Sequence, residues 1–125
     1  MRPDIAPRDP RDRMIVALDV ESLEHARALV RDLGTAASFY KLGMQLVFAD
    51  GLALVRELVG AGKRMFLDMK LLDIDNTVAG GVRSIAVLGA TFTTIHAYPK
   101  AMRAAVQAKP EGGPGLLAVT VLTSM

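Results

Sequence analysis

The sequence predicts an α/β fold of the (β/α)8 TIM-barrel type, truncated to about five β-strands and four helices. Three observations predict it. Five short apolar runs alternate strictly with four stretches of helical period, the pattern of a parallel sheet with right-handed crossovers. Most of the runs are apolar on both faces, as strands covered on both sides must be. Polar groups gather at the C-terminal ends of the runs: Asp19, Lys41, Asp68 with Lys70, His96 and Thr123. An open doubly wound sheet also fits the alternation, but it concentrates ligands at one switch point, whereas a barrel draws site residues from nearly every strand. A complete barrel takes about 250 residues. The 125 residues are therefore expected to form slightly more than half of one.

In chain order, residues 1–12 read as a flexible N-terminal arm, because Pro3, Pro7 and Pro10 interrupt any helix and the charges alternate in sign. Residues 13–125 are expected to be the N-terminal part of the barrel. Residues 14–20 form a first strand that carries Asp19 at its end. Ser22 can cap a helix with Leu23, Ala26, Leu29, Val30 and Leu33 on one stripe, and Gly34 can end it. His25 lies off that stripe. Residues 38–43 make a second strand with Lys41 near its end, followed by a helix on Leu52, Val55, Leu58 and Val59 that closes at Gly60-Ala61-Gly62. The third strand is 64–70, and its helix turns Val78, Val82, Ile85 and Ala86 inward and stops at Gly89. Residues 91–96 are rich in β-branched side chains and end in His96; a short helix over 101–108 and a loop over 110–115 lead to a fifth strand over 116–122.

Composition removes several function classes. A hydrophobic content of 51% excludes a disordered segment. Fifteen basic against thirteen acidic residues leave a net charge of +2, and no element gathers Lys and Arg into a stripe with aromatics, so nucleic-acid binding is not indicated. Without cysteine there are no disulfides, thiolate zinc sites or cysteine nucleophiles. The start of the chain has no apolar signal segment, and no run approaches the ~20 apolar residues of a membrane span; a cytoplasmic location is expected. There is no Gly-x-Gly-x-x-Gly or Walker loop and no nucleophile elbow, and His25 and His96 stand too far apart along the fold for a metal pair.

The charged stretch is residues 66–77. It places Asp68, Lys70, Asp73 and Asp75 within eight residues of an apolar neighbourhood, where unpaired charge costs several kcal/mol. Alternation along a strand points Asp68 and Lys70 one way and Leu67 and Met69 the other. Asp75, Asn76 and Thr77 are expected to cap the following helix. Taken alone, the cluster reads as local ion pairs and a helix cap. Asp19 and Lys41, at equivalent heights on neighbouring strands, make it an array of two acids and two lysines around one mouth. In such an array the carboxylates keep each lysine protonated.

These residues resemble a family. Asp-x-Lys-x-x-Asp-Ile at Asp68, Lys70, Asp73 and Ile74, followed by Asn76-Thr77, is similar to the signature of the orotidine 5′-phosphate decarboxylases, the last enzymes of pyrimidine nucleotide synthesis. Ala17-Leu18-Asp19, Tyr40-Lys41-Leu42-Gly43, Ile95-His96-Ala97 and residues 119–124 resemble the same family in the same order. Related magnesium-dependent enzymes, 3-keto-gulonate phosphate decarboxylase and hexulose phosphate synthase, share Asp-x-Lys-x-x-Asp but typically carry an acid where this chain has Lys41. The chain departs from the commonest family wording at Asp75, Leu71-Leu72 and Pro99-Lys100.

The resemblance implies decarboxylation of orotidine 5′-phosphate to UMP without metal or cofactor. Lys70 is then the general acid that protonates C6, and Asp68 lies against the substrate carboxylate. Lys41 holds Asp68 and a ribose hydroxyl, Asp19 binds ribose, and Thr123 sits near the pyrimidine. Asp73 and Thr77 reach across a homodimer interface into the partner's site, and Ile74 beside them also binds substrate. The resemblance also implies that the phosphate-gripping residues belong to later strands, so the 125 residues by themselves are not expected to turn over substrate. Two other readings follow from the same residues: a magnesium-dependent sugar-phosphate decarboxylase or aldolase, and a non-catalytic half-barrel module.

Overall fold

The structure is a computed structural model and describes residues 7–124. Its strands are β1 (Val16–Ala17), β2 (Phe39–Gly43), β3 (Arg64–Leu71), β4 (Phe92–His96) and β5 (Gly115–Val119). They form one parallel sheet in the order β1-β2-β3-β4-β5. Every strand lies beside its neighbour in sequence, so all crossovers step the same way. A doubly wound sheet reverses its strand order at a switch point, and this one does not, which leaves the barrel topology.

The helices are α1 (Leu23–Leu33), α2 (Met44–Leu46), α3 (Leu52–Gly60), α4 (Asp75–Leu88) and α5 (Pro99–Ala108). Ser22 caps α1 as expected, its hydroxyl accepting the His25 N–H at 3.1 Å. Gly89 ends α4 in the left-handed conformation (φ 82°), which a side chain at that position would strain. α5 begins earlier than expected because Pro99 supplies the first helical φ and has no N–H to lose. α2, and the wide turn Val47–Gly51 behind it, were not expected; Asp50 at φ 65° breaks the helix there. Among the described residues no helix is long and apolar enough to cross a membrane.

Alternation along the strands sorts the two faces. Tyr40, Leu42, Met65 and Leu67 turn toward the helices and form a core with Leu18, Ala26, Leu54, Val55 and Leu58, all buried. A second core joins Ile95 to Val78 and Val82 of α4 and to Ala101, Ala104 and Ala105 of α5. On the opposite face Phe39 and Phe92 stack with centroids 5.8 Å apart, and Phe66 meets Phe92 edge-on at 6.1 Å. Gly115 pairs with Phe92 across β4 and β5. A Cβ there would lie 2.8 Å from the Phe92 ring, which Phe39 and Phe66 hold in place. Gly115→Ala is therefore expected to destabilise the fold by about 1 to 3 kcal/mol through overpacking, read from the urea midpoint. An unchanged midpoint would mean that the ring gives way freely.

Three sequence expectations need correction. The segment expected as a flexible arm is docked where it is described: Pro10–Arg13 forms a 3₁₀ turn, the Arg11 guanidinium donates to the Thr35 carbonyl at 2.8 Å, and Asp12 accepts from the Ser38 hydroxyl and lies 3.6 Å from Arg64. The alternating charges, which suggested solvation, find partners at the N-terminal ends of β2 and β3; residues 1–6 lie outside the described residues. Asp75, Asn76 and Thr77 do not cap α4. The helix begins at Asp75 itself, Ile74 occupies the cap position without a side-chain hydrogen bond, and Asp75 favours the helix only through its charge in the first turn. The edge strands are shorter than expected: β1 keeps two residues in its ladder, and β5 stops at Val119, where its partner β4 stops at His96.

Candidate active site

The site is built on an irregularity in β3. The β3–β4 register shifts between Leu67 and Leu71, and Lys70 adopts φ 47°, a conformation that is uncommon for a residue with a side chain. Holding it costs roughly 1 to 3 kcal/mol, which surrounding contacts must offset. One contact is the Lys70 backbone N–H, which donates to Thr94 Oγ1 at 2.9 Å. The shift keeps Asp68 and Lys70 side by side at the C-terminal end of the strand.

The charges form a chain. Lys70 Nζ lies 2.9 Å from Asp68 Oδ1, Lys41 Nζ lies 3.4 Å from Asp68 Oδ2, and Lys41 Nζ is 3.6 Å from Asp19 Oδ1. Asp68 is the inner member with its side chain 15% exposed, and Asp19 is the outer one at 71%. The Thr94 hydroxyl donates to Asp68 Oδ1 at 2.7 Å. Burial pushes the Asp68 carboxyl up, but hydrogen bonds from Thr94 and Lys70 and the charges of Lys70 and Lys41 outweigh it, so its pKa lies below the ordinary aspartate value. The centre of the array is thus a carboxylate held charged between two ammonium groups.

Clefts open on both sides of this array. One, of about 220 Å³, is lined by Asp19, Lys41, Gln45, Asp68 and Lys70. The other, of about 520 Å³, is lined by Phe66, Asp68, Lys70, Thr94 and Thr123. Within one chain the fold therefore brings together Asp19, Lys41, Asp68, Lys70 and Thr123. It leaves Asp73, Ile74 and Thr77 outside, all exposed at the start of α4, with Asp73 Oδ1 accepting its neighbour Ile74's N–H at 2.7 Å. His96 makes no side-chain hydrogen bond among the described residues. Sequence reasoning missed Thr94 and Gln45. Thr94 had a signal, since period two from His96 puts it on the mouth side of β4, facing the strand that carries Asp68.

Among the described residues no three His, Asp or Glu side chains group as a metal site. Lys41 supplies a fixed positive charge between two carboxylates, where a divalent ion would otherwise find its ligands. The arrangement can therefore stabilise developing negative charge and deliver a proton from Lys70.

The model of the family described as "Orotidine 5'-phosphate decarboxylase / HUMPS family" matches residues 12–125. The chain belongs to this family. It is 59% identical over 122 residues to an orotidine 5′-phosphate decarboxylase of Rhodopseudomonas palustris (strain HaA2), covering 96% of this chain and 52% of the relative. A relative of the same name from Afipia carboxidovorans is 57% identical over 118 residues, with 94% and 50% covered. Among solved structures, the orotidine 5′-phosphate decarboxylase of Lactobacillus acidophilus superposes with a TM-score of 0.78 at 39% identity, over 89% of this chain and 54% of that one. A Geobacillus kaustophilus protein described as an uncharacterized conserved protein gives a TM-score of 0.81 at 37% identity, over 89% of this chain and 55% of that one. The chain spans about half the length of the curated relatives it matches. The five-stranded parallel sheet described above thus superposes on about half of a TIM-barrel relative.

Proposed function

We propose that the chain supplies the charged half of a site that decarboxylates orotidine 5′-phosphate to UMP in pyrimidine synthesis. The observation that carries this reading is the continuous chain Lys70–Asp68–Lys41–Asp19 at the strand ends. When the C–C bond to the carboxylate breaks, carbon dioxide leaves and the electron pair stays on C6. Lys70 Nζ gives that carbon its proton and is reprotonated from solvent. Asp68 faces the departing carboxylate, Lys41 steadies Asp68 and a ribose hydroxyl, Asp19 takes a ribose hydroxyl, and Thr123 borders the pyrimidine. Fixed charges of this kind need no reorganisation as the carbanion forms. No step in this reading passes through a metal or a cofactor.

The magnesium-dependent alternative fits less well, because Lys41 occupies the middle of the acidic pair. The partner in this reading is a second copy, with Asp73 and Thr77 completing the neighbour's site, and the enzyme class goes with a cytoplasmic protein. Phosphate contacts fall to the half of the relatives that this chain does not span, and remote contacts of that sort drive closure as well as affinity. Turnover by the 125 residues alone is therefore not expected.

Titrating UMP into a complete barrel, made by joining the isotope-labelled chain to the C-terminal half of its 59%-identical relative, tests the reading. Saturable shifts centred on Asp19, Lys41, Lys70 and Thr123, lost in Lys41→Ala, are the expected result. No saturable shift would favour a non-catalytic module, and a requirement for magnesium would favour the sugar-phosphate enzymes.

A further inference from the structure

The irregularity in β3 is held from β4 by two consecutive threonines on opposite faces. Thr93, fully buried, donates its hydroxyl to the Leu67 carbonyl at 2.8 Å; Thr94 accepts the Lys70 N–H at 2.9 Å. The two backbone groups that flank Asp68 and Met69 are thus both satisfied by side chains, in the stretch where the ladder loses its register. Only Thr94 goes further, because its hydroxyl also reaches Asp68 Oδ1 at 2.7 Å.

The proton inventory at that oxygen fixes the direction of both bonds. A backbone N–H can only donate, so Thr94 Oγ1 accepts from Lys70; its single proton is left for Asp68, and an ionised carboxylate can only accept. Protonating Asp68 would remove the charge that strengthens this bond, and the Thr94 proton has no other acceptor among the described residues. The threonine itself is 6% exposed and stiff at χ1, so neither bond can swing to water.

We propose that Thr94 is the positioning residue of the site, one hydroxyl that sets the backbone of Lys70 and the ionised state and orientation of Asp68 together. It does not touch the reacting atoms. Its place is to hold the strained turn of Lys70 so that Nζ stays beside Asp68 and does not follow a regular strand. The catalytic consequence rests on Lys70 being the proton donor; the coupling itself does not.

The test uses the chain as it is, with Asp68 and Lys70 as separate reporters. In Thr94→Val, which keeps the shape but removes the hydroxyl, the Asp68 side-chain carboxyl should titrate at higher pH, and the Lys70 amide should exchange faster with solvent than the neighbouring β3 amides. Thr94→Ser should restore both to wild-type behaviour. An unchanged Asp68 midpoint in folded Thr94→Val overturns the proposal. So does a Thr94→Ser variant as perturbed as Thr94→Val, since packing of the methyl would then be the cause. If Thr94→Val does not fold, the wild-type chain still decides. There the Lys70 amide shift should follow pH with the Asp68 midpoint, and independence of the two overturns the coupling. None of these readouts involves nucleotide, so failure of UMP to bind the complete barrel would reject the decarboxylase reading and leave this one standing.

Discussion

Lys70→Ala is expected to abolish decarboxylation in a complete barrel, made by joining this chain to the C-terminal half of its 59%-identical relative. The ammonium has two tasks in the proposed reaction. It supplies the proton for C6, worth roughly 10² to 10⁴ in rate for a positioned acid, and it places charge beside the developing carbanion, worth roughly 10² to 10³. Losing both predicts a fall of at least about 10⁴-fold. The fold should survive, because Lys70 is partly exposed and its backbone is held by Thr94 and not by its own side chain. Lys70→Arg separates the two tasks: a guanidinium keeps the charge, but it holds its proton far more tightly than an ammonium and is a poor donor. Conversion of orotidine 5′-phosphate to UMP is the measurement. Appreciable turnover in folded Lys70→Ala would remove Lys70 from the chemistry, and wild-type turnover in Lys70→Arg would remove proton donation from its role.

The parts of this fold that could be read from the sequence are those set by local pattern. Period two along residues 64–70 placed Asp68 on the face away from Leu67, and Ser22, Gly34 and Gly89 marked helix ends that the structure keeps. What could not be read depends on the partner strand. Nothing in Asp68-Met69-Lys70 announces that Lys70 takes φ 47°, because that conformation is held by the Thr94 hydroxyl on β4, 24 residues away. The docked segment ahead of β1 was missed for a similar reason. Asp12 looks solvated until Arg64, at the start of β3, and Ser38, just ahead of β2, are placed beside it. The length of β5 was also decided elsewhere, by where β4 ends. Charge alternation and prolines describe the freedom of an isolated segment, and tertiary partners override them.

The second large effect concerns Asp73. Among the described residues its carboxylate accepts only the N–H of the next residue, at 2.7 Å, and it does not join the chain of charges in its own subunit. Around it Leu72, Ile74 and Tyr98 are 50%, 72% and 61% exposed, and they line one open cleft with Asp73. Clustered apolar side chains beside a loosely held acid fit a surface that another protein covers, and the proposed homodimer puts Asp73 into the partner's site. Two inactive complete-barrel variants, Lys70→Ala and Asp73→Ala, should therefore recover activity when mixed and allowed to exchange subunits. A hybrid dimer contains one site with both defects and one with neither. Random exchange makes about half of the dimers hybrid, each with one of its two sites intact, so about a quarter of the wild-type rate should return. Recovery should follow the kinetics of exchange and disappear if each variant is cross-linked to itself beforehand. Demonstrated exchange without recovery would assign Asp73 to its own subunit's site or to no site at all.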